Sequence, residues 1–130
     1  MEHIIRTDRE DQLIDITAII REDVRRSNIK NGTAVVFVPH TTAGITINEN
    51  ADPDVVIDFL EILRKLVPKS RDYRHLEGNS HAHVKASLVG SSCTLIIEDG
   101  RLKLGTWQGV YFCEFDGPRT RKFYTKIIGS

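Results

Sequence analysis

Four of the five histidines fall in two short stretches of this 130-residue chain. His40 stands in Pro39-His40-Thr41-Thr42-Ala43, and His75, His81 and His83 crowd residues 73–85. Asn48, Glu49 and Asp52 follow His40 closely. Neutral imidazole nitrogens with nearby carboxylates suit either a divalent metal or acid/base work near neutral pH. The only tryptophan, Trp107, lies in Gly105-Thr106-Trp107-Gln108-Gly109, where sheet packing alone does not call for it.

Each of these residues has its own logic. His40 follows an apolar run directly, so it belongs at the end of a buried strand, a rigid base for a site. His81-Ala82-His83 would face one way in a strand. On a helix the two rings diverge, and Ala82, Lys85, Ala86 and Leu88 favour helix, so one of them is expected at any given site. Three imidazoles with an open water position match a catalytic zinc site better than a Mg²⁺ site. Neither Cys-x-x-Cys nor His-Glu-x-x-His spacing is present. Glu49, flanked by two asparagines, has no evident structural duty and reads as a base or as a partner to a ligand. Glu114 interrupts an apolar strand pattern, either as an outward solvated residue or as an inward carboxylate holding a histidine or ion.

The elements that would carry these residues are legible from pattern. Residues 2–6 read as a strand. Ile16, Ile19, Ile20 and Val24 recur at helical spacing over 15–27, with Asp15 or Thr17 as cap and Asn31-Gly32 as stop signal. Residues 34–38 suit a buried strand, and 46–48, entered through Gly44, continue extended. Asp52-Pro53 opens a second helix, with Val56, Phe59, Leu60, Leu63 and Leu66 as its stripe and Pro68 as its end. Residues 69–82 form a long polar loop, a frequent home of function. A short helix over 82–88, closed by Gly90, precedes strands at 93–97, 101–104, 108–115 and 122–128. Asp99-Gly100 marks a hairpin, and Asp116-Gly117-Pro118 a second turn. Helices and strands segregate, so the expected fold is one α+β domain over residues 1–130. It has a mainly antiparallel sheet or sandwich, two main helices and one short one.

Bulk properties narrow the function. Lys plus Arg and Asp plus Glu each number 18, which gives no global pull toward nucleic acid or an acidic membrane. No apolar run reaches the length of a membrane span, and the first residues lack a signal-peptide pattern. Cys93 and Cys113 show no paired spacing, so two buried thiols in a reducing cytoplasm are expected.

Together the motifs resemble the YjbQ family, small proteins often labelled secondary thiamine-phosphate synthase. The resemblance spans nearly the whole chain. It rests on Pro39-His40-Thr41-Thr42-Ala43, on Asn48-Glu49 with Asp52-Pro53, and on Tyr73-Arg74-His75 with Glu77-Gly78. Ala82-His83 with Lys85 and Ser87, and Gly100-Arg101-Leu102 leading to Leu104-Gly105-Thr106-Trp107-Gln108, complete it. It implies a compact α+β homotrimer with a metal, best read as zinc, at His40, His75 and His83, and leaves His81 out. It also implies a reaction joining a pyrimidine diphosphate to a thiazole phosphate. For that chemistry Glu49, His83 and Glu114 are the expected catalytic groups. Lys85, Arg119, Arg121 and main-chain N–H groups around Gly105 and Gly109 would face the departing diphosphate, with Trp107 and Gln108 on the substrate. A zinc-dependent hydrolase with Glu49 as base, and a trimeric ligand-binding module without turnover, are the competing readings.

Overall fold

Period-two alternation is clearest in the last strand, where Arg121, Phe123 and Thr125 are buried and Lys122, Tyr124 and Lys126 are exposed. In the computed structural model, which describes residues 1–130, that strand anchors an antiparallel sandwich. In chain order the elements are β1 (Glu2–Arg6), β2 (Gln12–Asp15), α1 (Thr17–Ser27), β3 (Gly32–Phe37), β4 (Ala43–Glu49) and α2 (Pro53–Leu66). They continue with α3 (Ser80–Val89), β5 (Ser92–Glu98), β6 (Arg101–Leu102), β7 (Gln108–Glu114) and β8 (Thr120–Gly129). One sheet has the order β1-β8-β3-β5-β6 and the other β2-β7-β4.

The main core fills the space between the sheets. Val36, Leu95 and Phe123 of the large sheet and Ile45, Val110 and Phe112 of the small one are all buried. Ile16, Ile20 and Val24 bring α1 into the same core. The far face of the small sheet is covered by α3, whose Ala82 and Ala86 pack on Tyr111, Cys113 and Phe115. Small residues on α3 let the helix lie close to the strands, and that closeness shapes the site below.

The fold class expected from sequence is the fold observed, with differences at element ends. β2 has no counterpart in the sequence reading: three half-buried residues and an exposed one carry almost no strand signal, and pairing with β7 supplies the reason they extend. β4 starts at Ala43 rather than 46, and α3 starts at Ser80 rather than 82. Neither of the two caps weighed for α1 holds the cap position, which is Ile16 with no side-chain bond; the Asp15 carboxylate just before it accepts the Thr17 N–H at 2.9 Å. Asn28, at a left-handed φ of 58°, ends that helix before Asn31-Gly32 is reached. Asp52 caps α2 through the Asp54 N–H, with Pro53 first in the helix, as its sequence predicts. Asp99 and Gly100 both take positive φ, the geometry of a two-residue type I′ hairpin between β5 and β6.

Candidate functional site

β3 leaves the core at Val38 and delivers Pro39-His40-Thr41 to the rim before β4 begins. The C-terminal end of α3 closes on that rim. The Ile45 N–H donates to the Gly90 carbonyl at 2.9 Å, and a Cβ on Gly44 would stand only 2.5 Å from that oxygen. Strand and helix therefore meet at a glycine. Beside the contact lies a cavity of about 440 Å³ lined by His40, Thr41, Ala43, His83, Ser87 and Gly90 among others. His83, one turn up α3, thus faces His40 across it. The loop brings His75 alongside, its ring edge-on to that of His83 with centroids 5.4 Å apart. Two imidazoles, His40 and His83, line the cavity, and His75 packs against His83.

His40 is held in a defined state. Its Nε2 accepts the Lys122 backbone N–H at 2.9 Å, so the neutral ring carries its proton on Nδ1. Burial, then the positive Arg121, hold its pKa below the usual 6.5, against a smaller opposing pull from Glu114. At neutral pH this ring is an uncharged donor.

Behind it stands a buried ion pair. Glu114, fully buried, accepts Arg121 Nε at 2.8 Å and a second bond from Arg121 Nη2, together with Thr7 Oγ1 at 2.8 Å and the Asp116 N–H at 3.0 Å. Arg121 Nη2 also donates to Thr42 Oγ1 at 2.8 Å. Burial pushes the Glu114 carboxyl up. The guanidinium and the two other donors outweigh it and leave the pKa lowered. Glu114 is inward, as one of its two readings held, and what it grips is an arginine rather than a histidine or ion.

A metal requires a converging donor set. Two imidazoles on one tetrahedral ion, at N–metal distances of about 2.0–2.1 Å, have centroids roughly 5 Å apart. The His75–His83 pair matches that spacing. No third His, Cys, Asp or Glu joins them, and His40 Nε2 is already engaged by Lys122. The chain alone forms no group of three such side chains that could hold a metal.

The other expected residues lie elsewhere. β4 and β7 pair with Ala43 opposite Glu114 and Glu49 opposite Gln108. Six residue steps of strand, about 20 Å at about 3.4 Å each, separate Glu49 from the histidine end. Trp107 and Gln108 belong to that far end. Trp107 is 62% exposed, and Gln108 Oε1 folds back to accept the Gly105 N–H at 2.8 Å. Lys85 is buried, its Nζ 3.5 Å from Asp11 and 6.0 Å from the Phe115 ring centre. Arg119 is tied to Asp116 through its backbone and side-chain oxygens. Both cysteines are free thiols, with Cys93 raised to about 11 and buried Cys113 further still, by desolvation. The sequence presents Thr42 and Ser87 only as motif residues, with no role of their own. The period-two register of β8, which turns Arg121 inward, was the available signal for that buried network.

A family model described as UPF0047 protein YjbQ-like matches residues 1–130, and the chain belongs to this family. UPF0047 protein MJ1081 of Methanocaldococcus jannaschii is 58% identical over 125 residues, covering 96% of this chain and 91% of that protein. UPF0047 protein YugU of Bacillus subtilis is 53% identical over 126 residues, covering 96% of each. Among solved structures, an uncharacterised conserved YjbQ/UPF0047 protein of Clostridium acetobutylicum superposes with a TM-score of 0.97 at 62% identity, over 98% of this chain and 99% of that one. A YbjQ-like protein of unknown function from Sulfolobus solfataricus gives 0.96 at 34% identity, over 100% and 96%. None of these names states an activity. No helix of the chain is long and apolar enough to cross a membrane, which leaves β-barrels unaddressed.

Proposed function

We propose that the chain is a small-molecule enzyme working in the cavity between His40 and His83, on a phosphorylated or heteroaromatic substrate. Thiamine-phosphate synthesis is the named example that the family resemblance brings. The observation that supports this reading is His40 and His83 facing each other across one cavity, with His75 against His83 and His40 kept neutral. In that reaction a thiazole nitrogen attacks the pyrimidine-methyl carbon, its C–O bond breaks, and diphosphate departs. His40, donating from Nδ1, would hold a phosphate oxygen. His83 would position the diphosphate from the facing helix. A divalent ion at His75 and His83, zinc by the preference of imidazole donors, would supply positive charge against the leaving group.

Glu49, Trp107 and Gln108 enter this reading through assembly. A ring of three copies uses head-to-tail contacts, which set one end of each subunit against the other end of the next. Such a ring would bring the Trp107 end of one copy to the histidine mouth of its neighbour. Exposed Ile57, Ile62 and Leu66 on α2 and exposed Ile4, Ile96 and Ile128 on the large sheet support burial between copies.

The test is zinc content and turnover of purified protein, with pyrimidine-methyl diphosphate plus thiazole phosphate and a panel of phosphorylated metabolites. His83→Ala is expected to lose zinc and about a hundredfold or more in rate, with an unchanged circular dichroism spectrum. A His83→Ala variant that turns over normally would falsify the assignment, and an unfolded one would make His83 structural. Ligands that raise thermal stability without conversion would indicate a binding module instead.

A further inference from the structure

The two histidines of His81-Ala82-His83 part company on α3. His83 looks into the cavity described above, while His81 lines a second one of about 520 Å³. This space lies between the end of α2, the loop that follows it and the first turns of α3.

His81 is only 3% exposed, yet neither of its ring nitrogens has a hydrogen-bond partner. The Glu10 carboxylate stands 3.6 Å from Nε2, beyond hydrogen-bond reach, and is already paired with Lys69. Buried polar atoms in folded proteins are almost always partnered, so an orphaned imidazole bordering an open space points to something absent from the chain. A second feature lies in the same corner. The Asn79 cap of this ten-residue helix makes no side-chain capping bond; its carbonyl takes the Ala82 and His83 N–H groups, which leaves those of Ser80 and His81 unclaimed. That end of a helix favours negative charge.

The rest of the lining narrows the ligand. Arg74 borders the cavity and enters none of the chain's ion pairs. Asp72 is the one acid of the lining, and Glu10, paired with Lys69, stands behind His81. With that one cation already facing one acid, the lining carries no surplus positive charge, which disfavours a phosphate dianion. Leu66, Val67, Pro68 and Val84 supply an apolar wall.

We propose that this cavity binds a small carboxylic acid with a flat apolar body. Its carboxylate accepts hydrogen bonds from the His81 ring and the start of α3 and faces Arg74. Its body lies against Leu66, Pro68 and Val84. The proposal is independent of the reading given for the His40–His83 cavity, since it uses the opposite side of α3.

NMR titration of the intact protein with benzoate, benzamide and inorganic phosphate tests it. Benzoate is expected to shift the His81 ring nitrogens and the Ser80 amide saturably, while the His40 and His83 rings stay in place. Benzamide and phosphate should bind at least about tenfold more weakly, and the exposed substitution Arg74→Gln should weaken benzoate by about tenfold, the worth of one charge-assisted bond. The idea is overturned if benzamide or phosphate equals benzoate, if Arg74→Gln changes nothing, if the shifts centre on His40 and His83, or if benzoate gives no saturable shift.

Discussion

Glu114 and Arg121 show how a single residue can be read correctly in part. Its position against the alternation of β7 made an inward carboxylate one of two readings. Its partner, seven residues on and in the other sheet, came into view only with the fold. Removing the charge while keeping the shape, as in Glu114→Gln, leaves Arg121 buried at 3% exposure without its counter-ion. Breaking a buried pair in this way costs roughly 3–5 kcal/mol. Urea unfolding should show the midpoint falling accordingly, and an unchanged midpoint would mean that the pair contributes little. Lys85 illustrates the opposite case. Nothing in its own neighbourhood of sequence says that it is buried, because Asp11 and Phe115 come from other segments. The divergence of His81 and His83, by contrast, follows from helical geometry once Ala82, Lys85 and Ala86 indicate a helix.

At the scale of elements, the contact between α3 and β4 decides whether the cavity exists. Gly44 allows it, since a Cβ there would meet the Gly90 and Ala86 carbonyl oxygens at 2.5 and 3.5 Å. These are backbone atoms and cannot swing aside. Gly44→Ala should therefore cost about 1–3 kcal/mol as overpacking, seen as a lower thermal midpoint. A midpoint equal to that of the parent protein would show that the helix gives way freely. Elements with strong local signals were legible: α2 from its Asp-Pro start, the β5–β6 hairpin from Asp99-Gly100, and β8 from alternation. Those whose conformation depends on a partner were not. β2 exists because β7 is beside it, and the first residues of β4 extend because β7 pairs with them through Glu114.

For the whole molecule, the outer face of the large sheet is unusual for a surface. Tyr124 lies opposite Phe37, and Thr33 stands between Ile128 and Ile96, so exposed aromatic and aliphatic side chains form adjoining rows. Together with the half-covered stripe of α2, this is where the expected homotrimer would draw its contact area. Light scattering on the purified protein should give about 44 kDa, three times the 14.7 kDa chain, and a value near 14.7 kDa would remove that expectation. The separation of Glu49 from the histidines by a full strand length could not be read from motif order, because motifs list residues without saying which end of a strand pair each occupies. One peptide group ties the outer face to the chemistry. The Lys122 side chain points outward beside Glu2, while its N–H points at the His40 ring. Anything that settles on that outer surface and stiffens β8 also steadies the N–H that keeps the His40 proton on Nδ1.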